Sequence, residues 1–357
     1  MQALPGAEIQ HLAVKNPAGH SLPYQVTHGS SEGYATQGTE DHYDELVFQH
    51  DFAAGEKSAV FTVEKTANVA PVFPAQVFSR YVPERLDDFA WENDRIAHRT
   101  YGPALEAPAE PGSGKEVLIA SGLDVWCKRV RYPIIDRWYN IGHYHDDVGE
   151  GMDQYHVGAS RGCGGTGVWD GKQLYVSRNY HTWKVLDNGP IRAIFELTYE
   201  SWSANGVIVS EVKRFTIDAG HNLDQIDSTF TVVGPTKTIT VGIGLNKEPV
   251  DADQAVSAVL TPTATAGSLT QWFEQKTNGS IGTAIIVPGA SFQGFAEDAR
   301  NQLILAKAIS GQPLRYYVGA SWSKAGDFST VQEWNVYVAA WAARLHAPLK
   351  VTLTPAN

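Results

Sequence analysis

Between residues 191 and 246 the chain alternates apolar and polar side chains with the period of a strand. Ile191, Ala193, Phe195, Leu197 and Tyr199 fall on one face of I-R-A-I-F-E-L-T-Y-E, as half-buried strands require. The runs G-V-I-V-S-E-V-K-R-F-T-I-D, L-D-Q-I-D-S-T-F-T-V-V and T-I-T-V-G-I-G continue the pattern, separated by Asn-Gly, Ala-Gly and Gly-Pro. That cadence predicts an antiparallel meander. Shorter alternating runs, Leu46-Val47-Phe48 and Ala59 to Val63, predict strands nearer the start, and Gly282 to Val287, Gln302 to Ala308 and Leu349 to Thr354 predict more beyond.

Helical spacing is rarer. Trp334, Val338, Trp341, Ala342 and Leu345 recur at helical intervals behind a capping pattern at Ser329 and Gln332, and Pro348 follows, which predicts one helix near the C-terminus. The segment D-D-F-A-W-E-N-D-R-I-A-H-R-T-Y-G-P reads as a hairpin, with a helix as the competing reading. Asn93-Asp94 suits the turn of a hairpin, while Leu86, Phe89, Asn93 and Ile96 also fit a helix; Gly102-Pro103 ends either. Residues 103 to 116 read as a surface loop and the one weak internal boundary of what is otherwise a single domain over residues 1 to 357. The expected fold is mainly β, a large antiparallel sandwich with few helices.

Composition narrows the partners. Only 19% of residues are charged, and 28 basic against 39 acidic residues leave a formal charge of -11, which disfavours a nucleic-acid backbone. No window reaches the roughly 18 apolar residues of a membrane span, and M-Q-A-L-P-G-A has no signal-like apolar region. The chain reads as soluble, or as the mature form of an exported protein. Its two cysteines, Cys127 and Cys163, are too few for a disulfide framework. Two buried free thiols are expected, with a single bridge as the alternative.

Chemistry concentrates between Ile141 and Trp169. I-G-H-Y-H-D-D-V-G-E-G-M-D-Q-Y-H-V-G-A-S-R-G-C-G-G-T-G-V-W gathers His143, His145, Glu150, Asp153, Tyr155, His156 and Arg161 among glycines, and reads as an active-site loop. Two chemistries suit it. In the first, an extended backbone puts His143 and His145 on one side, and Glu150 or Asp153 completes a divalent-metal set. The spacing is that of the first cupin motif, although the following glycine stands one residue late and no convincing second motif with a partner histidine follows. In the second, His, Tyr and Arg perform proton transfer next to a carboxylate without a metal or other cofactor. Arg80, Arg95, Arg99, Arg131, His181 and Lys184 are further groups that could converge there. Among 10 tryptophans and 15 tyrosines, Trp91, Trp126, Trp138, Tyr139, Trp169, Tyr180 and Trp183 offer flat faces to a sugar ring, although most aromatics of a β fold are core.

Four stretches, F-A-W-E-N-D-R-I-A-H-R-T-Y-G-P-A-L, D-V-W-C-K-R-V-R-Y-P-I-I-D-R-W-Y, the glycine-rich block, and N-G-P-I-R-A-I-F-E-L-T-Y, resemble a family labelled as a domain of unknown function. It occurs in marine and gut bacteria, in gene clusters that degrade acidic polysaccharides. The resemblance covers nearly the whole chain. It implies a galactose-mutarotase-like supersandwich of the kind also found in polysaccharide lyases, exported to the periplasm. The family is also similar to the oligosaccharide dehydratase of ulvan breakdown, which implies removal of water from a non-reducing-end uronic acid to leave a 4,5-unsaturated ring. An acidic oligosaccharide would then be the partner. The residues that suit those roles in kind are His143, His145, Tyr155 and Arg161 for proton transfer, and Arg80, Arg95 and Arg131 for the carboxylate. Trp91, Trp126, Tyr180 and His181 complete the expected substrate contacts. Which group is base and which acid stays open, as do a lyase, an epimerase or mutarotase, and a glycan-binding protein without turnover.

Overall fold

The computed structural model describes residues 4–27, 42, 43 and 45–354. Its largest layer is an eight-stranded sheet ordered Thr182–Asn188, Arg192–Ala204, Val207–Asp218, Leu223–Val233, Pro313–Trp322, Ile281–Ile286, Ser268–Gln275, Ala255–Thr263. Against its inner face lie two five-stranded sheets. One runs Leu174–Tyr175, Cys163–Trp169, Thr238–Asn246, Asn301–Ile309, Phe292–Glu297, and the other Gly151–Asp153, Asp124–Lys128, Ala97–Thr100, Asp88–Glu92, Phe78–Val82. A single parallel bridge between Leu123 and Gly162 joins these two. Neighbouring strands within all three sheets are antiparallel. The fold is therefore the large antiparallel sandwich that the alternation predicts, with inward residues such as Phe195, Phe215, Phe230, Ile243 and Tyr316 in one core cluster.

Asn93-Asp94 sits in a hairpin, not a helix: Glu92 pairs with Ala97 across the turn, and Asn93 Oδ1 accepts from the backbone N–H of Arg95 and Ile96 at 2.8 and 3.1 Å. The C-terminal helix, Val331–His346, packs Trp334, Val338 and Ala342 on the outer face of the large sheet. Its cap is one residue later than the pattern suggests. Thr330 and Glu333 form the reciprocal box, and Ser329 reinforces it by donating to Glu333.

Three expectations need correction. Residues 349 to 354 form no strand and are exposed, because alternation without a ladder partner leaves the backbone groups unpaired. Of Ala59 to Val63 only Thr62 and Val63 enter a strand, Thr62–Lys65, which pairs with Leu12–Lys15. The supposed loop 103–116 opens as a helical turn, Pro103–Glu106, that buries Leu105. Cys127 and Cys163 are buried free thiols. Among the described residues no helix is long and apolar enough to cross a membrane.

Inside the sandwich Trp91 donates to Asp224 Oδ2 at 2.9 Å and stacks on His98, whose Nε2 lies 3.8 Å from the same carboxyl. Burial pushes Asp224 up to about 7, against the Trp91 bond. Burial also pushes His98 down to about 4, against its bond to the Asp124 carbonyl, so the pair is neutral between those values. For Asp224 the raised folded-state value means stability present at low pH and lost as pH rises through about 7. An Asp224→Asn protein should therefore gain on the parent between about pH 4 and 7, by up to roughly 4 kcal/mol at about 1.4 kcal/mol per unit. Denaturant unfolding of both across that range tests this; a pH-independent difference would refute it.

Candidate active site

The site is built on the outer face of the five-stranded sheet that contains Ala97–Thr100. Strand alternation aims Asp88, Ala90 and Glu92, then Ala97 and Arg99, then Asp124, Trp126 and Lys128 to that side, while Phe89, Trp91, Val125 and Cys127 enter the sandwich core. A face bearing this much charge must be covered and paired. The cover is the helix Ile135–Ile141, which buries Ile135 and Trp138 against Val82, Ala90, Ala97 and Trp126.

Glu92 fixes that helix. Its carboxylate accepts from the N–H groups of Ile134 and Ile135 at 2.8 and 3.0 Å, which lack intrahelical partners at a helix start. Buried Lys128 donates to Glu92 at 2.6 Å and to the carbonyls of Asn93 and Tyr132. Gly142, with φ 71°, ends the helix. Gly151 returns the chain to the sheet with φ 136°; a Cβ there would lie 2.0 Å from the Cys127 carbonyl oxygen, so only glycine fits.

Arg99 is the hub beneath this cover. It donates to Asp124 at 2.7 Å, to Asp153 at 2.9 Å and to the Tyr144 hydroxyl at 3.3 Å, and stands 3.6 Å from Asp88. Its guanidinium also lies 5.3 Å from the centre of the Trp126 ring. Burial opposes the charge on Arg99, but Asp153 and Asp124 more than offset it and hold the group firmly protonated. Burial pushes Asp88 up to about 6, with Arg99 and Arg85 pulling down. It raises Asp153 well above the usual carboxyl range, and neighbouring Asp124 adds to that. Asp88 Oδ1 is buried with no hydrogen-bond partner, and Arg85 faces both Asp88 and Tyr144.

Tyr144 connects this interior to the surface. It lines a small crevice with Trp138, Ile141, His143, Asp146, Val148 and Gly151, and its ring rests on Trp126 at 4.9 Å. Next to it His145 is exposed, with 69% of its side chain accessible. The His145 and Tyr144 rings are 4.8 Å apart. His145 Nδ1 lies 3.2 Å from the Asp153 carbonyl and 3.6 Å from its carboxylate. An Nδ1–H donated to that carbonyl fixes the tautomer and leaves Nε2 with a free lone pair facing solvent. On the covering helix Arg137, 62% accessible, pairs with Glu150 at 3.2 Å. Glu150 in turn accepts from Tyr132 and from crevice-lining Trp138.

Ile141 to Trp169 is thus not one loop. The helix claims Ile141, Gly151–Asp153 is a strand, and Cys163–Trp169 is a core strand. The structure places His143 on the crevice wall and His145 beside the Tyr144 ring, but not Tyr155 or Arg161. Tyr155 belongs to the main core, and buried Arg161 donates to Ser121 at 2.8 Å. The suggested metal set does not fit. Glu150 is held by Tyr132, Trp138 and Arg137 and Asp153 by Arg99, and among the described residues no three such groups converge on a metal position.

Arg80 pairs with Glu84 and Asp136, while Arg95 and Arg131 share Asp327. Trp91 and Trp126 are buried, so neither ring face meets solvent. Tyr180 is buried and donates to the Asp87 carbonyl, whereas His181 is exposed beside Glu200. Asp88, Asp124 and Tyr144 are the members that sequence reasoning missed. One signal was available: Asp88, Glu92, Arg99, Asp124 and Lys128 occupy matching strand positions, a charged face within otherwise apolar strands.

Fold and site together define a large antiparallel β-sandwich protein with an imidazole and a phenol at the mouth of a buried Arg–carboxylate network. The chain belongs to the family described as a domain of unknown function, DUF4861, whose model matches residues 2–351. It is 32% identical over 323 residues to uncharacterized protein P7 of Formosa agariphila, covering 87% of this chain and 78% of that one. Two solved structures overlap it more loosely. They are the galactosidase domain of an alpha-galactosidase-sucrose kinase, at 11% identity and TM-score 0.33, and an alpha-galactosidase from Geobacillus stearothermophilus, at 9% and 0.31. The overlaps take in 69% and 66% of this chain but only 42% and 40% of those chains, less than half their length. Such overlaps carry no chemistry across.

Proposed function

We propose that the protein is a carbon–oxygen lyase that removes water from the non-reducing-end uronic acid of an acidic, ulvan-type oligosaccharide in the periplasm. One observation carries this reading: a solvent-facing imidazole held at Nδ1 by Asp153 stands beside a phenol held by Arg99. These are a base and an acid within the span of one sugar ring.

In the proposed step His145 Nε2 takes the proton on C5, next to the uronate carboxylate. The electron pair moves into that carboxylate as an enolate, whose charge the accessible Arg137 meets. Collapse forms the C4–C5 double bond and expels the 4-hydroxyl, which Tyr144 protonates to water. Arg99 and Arg85 flank the Tyr144 oxygen, so the charge left on it is met by two guanidinium groups. The His145 imidazolium then returns a proton to Tyr144. His143, on the crevice wall, contacts the sugar. No metal or other cofactor takes part in this scheme.

Mass spectrometry of ulvan-derived oligosaccharides incubated with the protein, with and without chelator, tests the reading. Loss of one water without chain cleavage, surviving chelation, is the expected result. Cleavage into two fragments would replace dehydration by lyase or hydrolase action. An unchanged mass on every acidic glycan would sink the proposal in favour of epimerisation or binding alone.

A further inference from the structure

The sandwich core holds polar groups that the crevice chemistry does not use. Strand alternation turns Val209, Phe215 and Ile217 of Val207–Asp218 into the core, and Glu211 and Lys213 follow the same parity. Lys213 donates to Glu211 and, at 2.6 Å, to Thr166 Oγ1, while its ammonium lies 4.8 Å from the centre of the Tyr199 ring. Both residues are buried, and their two charges cancel.

Arg161 brings a third charge into this interior, and no carboxylate cancels it. The residue is 2% exposed, and Gly244 makes room for its stem, since a Cβ there would lie 2.7 Å from Arg161 Cβ. Burial pulls its guanidinium down to about 10, against Tyr199, Asp298 and Glu211, so it is a cation at neutral pH. Among the described residues no carboxylate stands within ion-pair distance of it, and its one guanidinium hydrogen bond runs from Nη1 to Ser121 Oγ at 2.8 Å. A guanidinium carries five N–H donors, so most of them lack a protein acceptor. A second unmet donor stands close by. The Tyr199 hydroxyl is buried with no hydrogen-bond partner, and Tyr199 exerts the largest of the neighbouring influences on Arg161.

Burying a lone charge is costly unless it is paired and hydrogen-bonded. The unmet groups here are all donors on a net positive interior, so what completes them is an acceptor that carries negative charge. A water would take the hydrogen bonds and leave the charge. Ser121, Thr166 and Ser177 around the cluster are no more than 5% exposed, which leaves no mouth for a carboxylate ligand or a phosphate ester.

We infer that a single monatomic anion of chloride type is bound between the Arg161 guanidinium and the Tyr199 hydroxyl. The position gives it a structural consequence. Gly162, the next residue, bridges to Leu123 where the two five-stranded sheets join, and the Arg161 carbonyl accepts from the Leu123 N–H at 3.4 Å. Asp124, which follows Leu123, bonds Arg99. The anion therefore secures the seam behind the charged face, and it does so whatever substrate the crevice takes.

Thermal unfolding in sodium chloride and in sodium gluconate at equal ionic strength tests this, using the parent, Arg161→Met and Tyr199→Phe. The parent Tm should rise by about 2–4 °C in chloride, as expected of a ligand that binds the folded state alone. Tyr199→Phe keeps the ring and loses one donor, so its rise should be smaller, and Arg161→Met should show none. A parent that melts alike in both salts, or an equal rise in Arg161→Met, would overturn the site. Should Arg161→Met not fold, crystals of the parent grown in bromide decide: an anomalous peak within hydrogen-bond distance of Arg161 supports the anion, and a water there without anomalous signal refutes it.

Discussion

His145→Gln should lower kcat for water loss from a uronate-terminated oligosaccharide by about 10²–10⁴-fold, the usual contribution of a positioned general base. Glutamine keeps a polar group near the Asp153 carbonyl, 3.2 Å from Nδ1 in the parent, but it cannot take a proton. The loss should fall on kcat, with KM changed little, because the imidazole acts in the transition state and contributes little to holding the ground-state sugar. Tyr144→Phe complements it. Phenylalanine keeps the ring in its stack on Trp126 and removes only the hydroxyl that Arg99 and Arg85 flank, so it too should lower kcat. Steady-state kinetics on the longest accepted oligosaccharide provides the measurement. Activity of His145→Gln within threefold of the parent would remove His145 from the reaction and, with it, the proposed mechanism.

The largest stability effect should follow from Arg99→Met. The methionine fills much of the space but leaves Asp124 and Asp153 without the cation that each now bonds at 2.7 and 2.9 Å. Breaking a buried ion network from one side costs about 3–5 kcal/mol. The cost should depend on pH in a definite direction. Burial already raises Asp88, Asp124 and Asp153 above the ordinary carboxyl range despite Arg99, and loss of Arg99 raises them further. Groups with raised folded-state values stabilise at low pH and lose that contribution as pH rises through those values. The variant should therefore be weakest at pH 8 and recover part of the loss at pH 5. Denaturant unfolding at the two values measures it. A loss below about 1 kcal/mol at pH 8 would mean that the network does not hold the covering helix. Arg99→Lys, which retains charge but not the three-way geometry, should fall between.

The two predictions separate because His145 and Arg99 do different work. His145 lies in solvent and touches the network through Asp153 and the Tyr144 ring; its replacement should leave folding nearly intact. Arg99 lies under Tyr144 and Trp126, so its loss acts on the ground on which the reactive groups stand.

How much of this the sequence carried differs from residue to residue. Ile191 to Tyr199 alternated so regularly that strand and inward face were both readable, because a strand with one buried face leaves a period-two record in its side chains. The terminal helix was readable for the same reason at helical spacing. Leu349 to Thr354 carried the same alternation and formed no strand, since ladder partners are supplied by the fold and not by the segment. His143 and His145 stood out by their density among glycines and lie at the surface, yet Tyr155 and Arg161 in the same stretch were sent into the interior by the turn at Gly151 and the core strand that follows. The charged face of Asp88, Arg99 and Asp124 was written in the strand alternation, but the partners of each charge were not. Four strands spread over residues 88 to 153 had to be laid side by side before one guanidinium could meet three carboxyls. By itself the sequence determined the mainly β class, the terminal helix and the general location of reactive groups, all of which depend on near neighbours along the chain. Only the tertiary structure decided which of those groups share a crevice, which tryptophans are covered and which arginines are already paired, because burial and charge pairing depend on contacts between segments far apart in sequence.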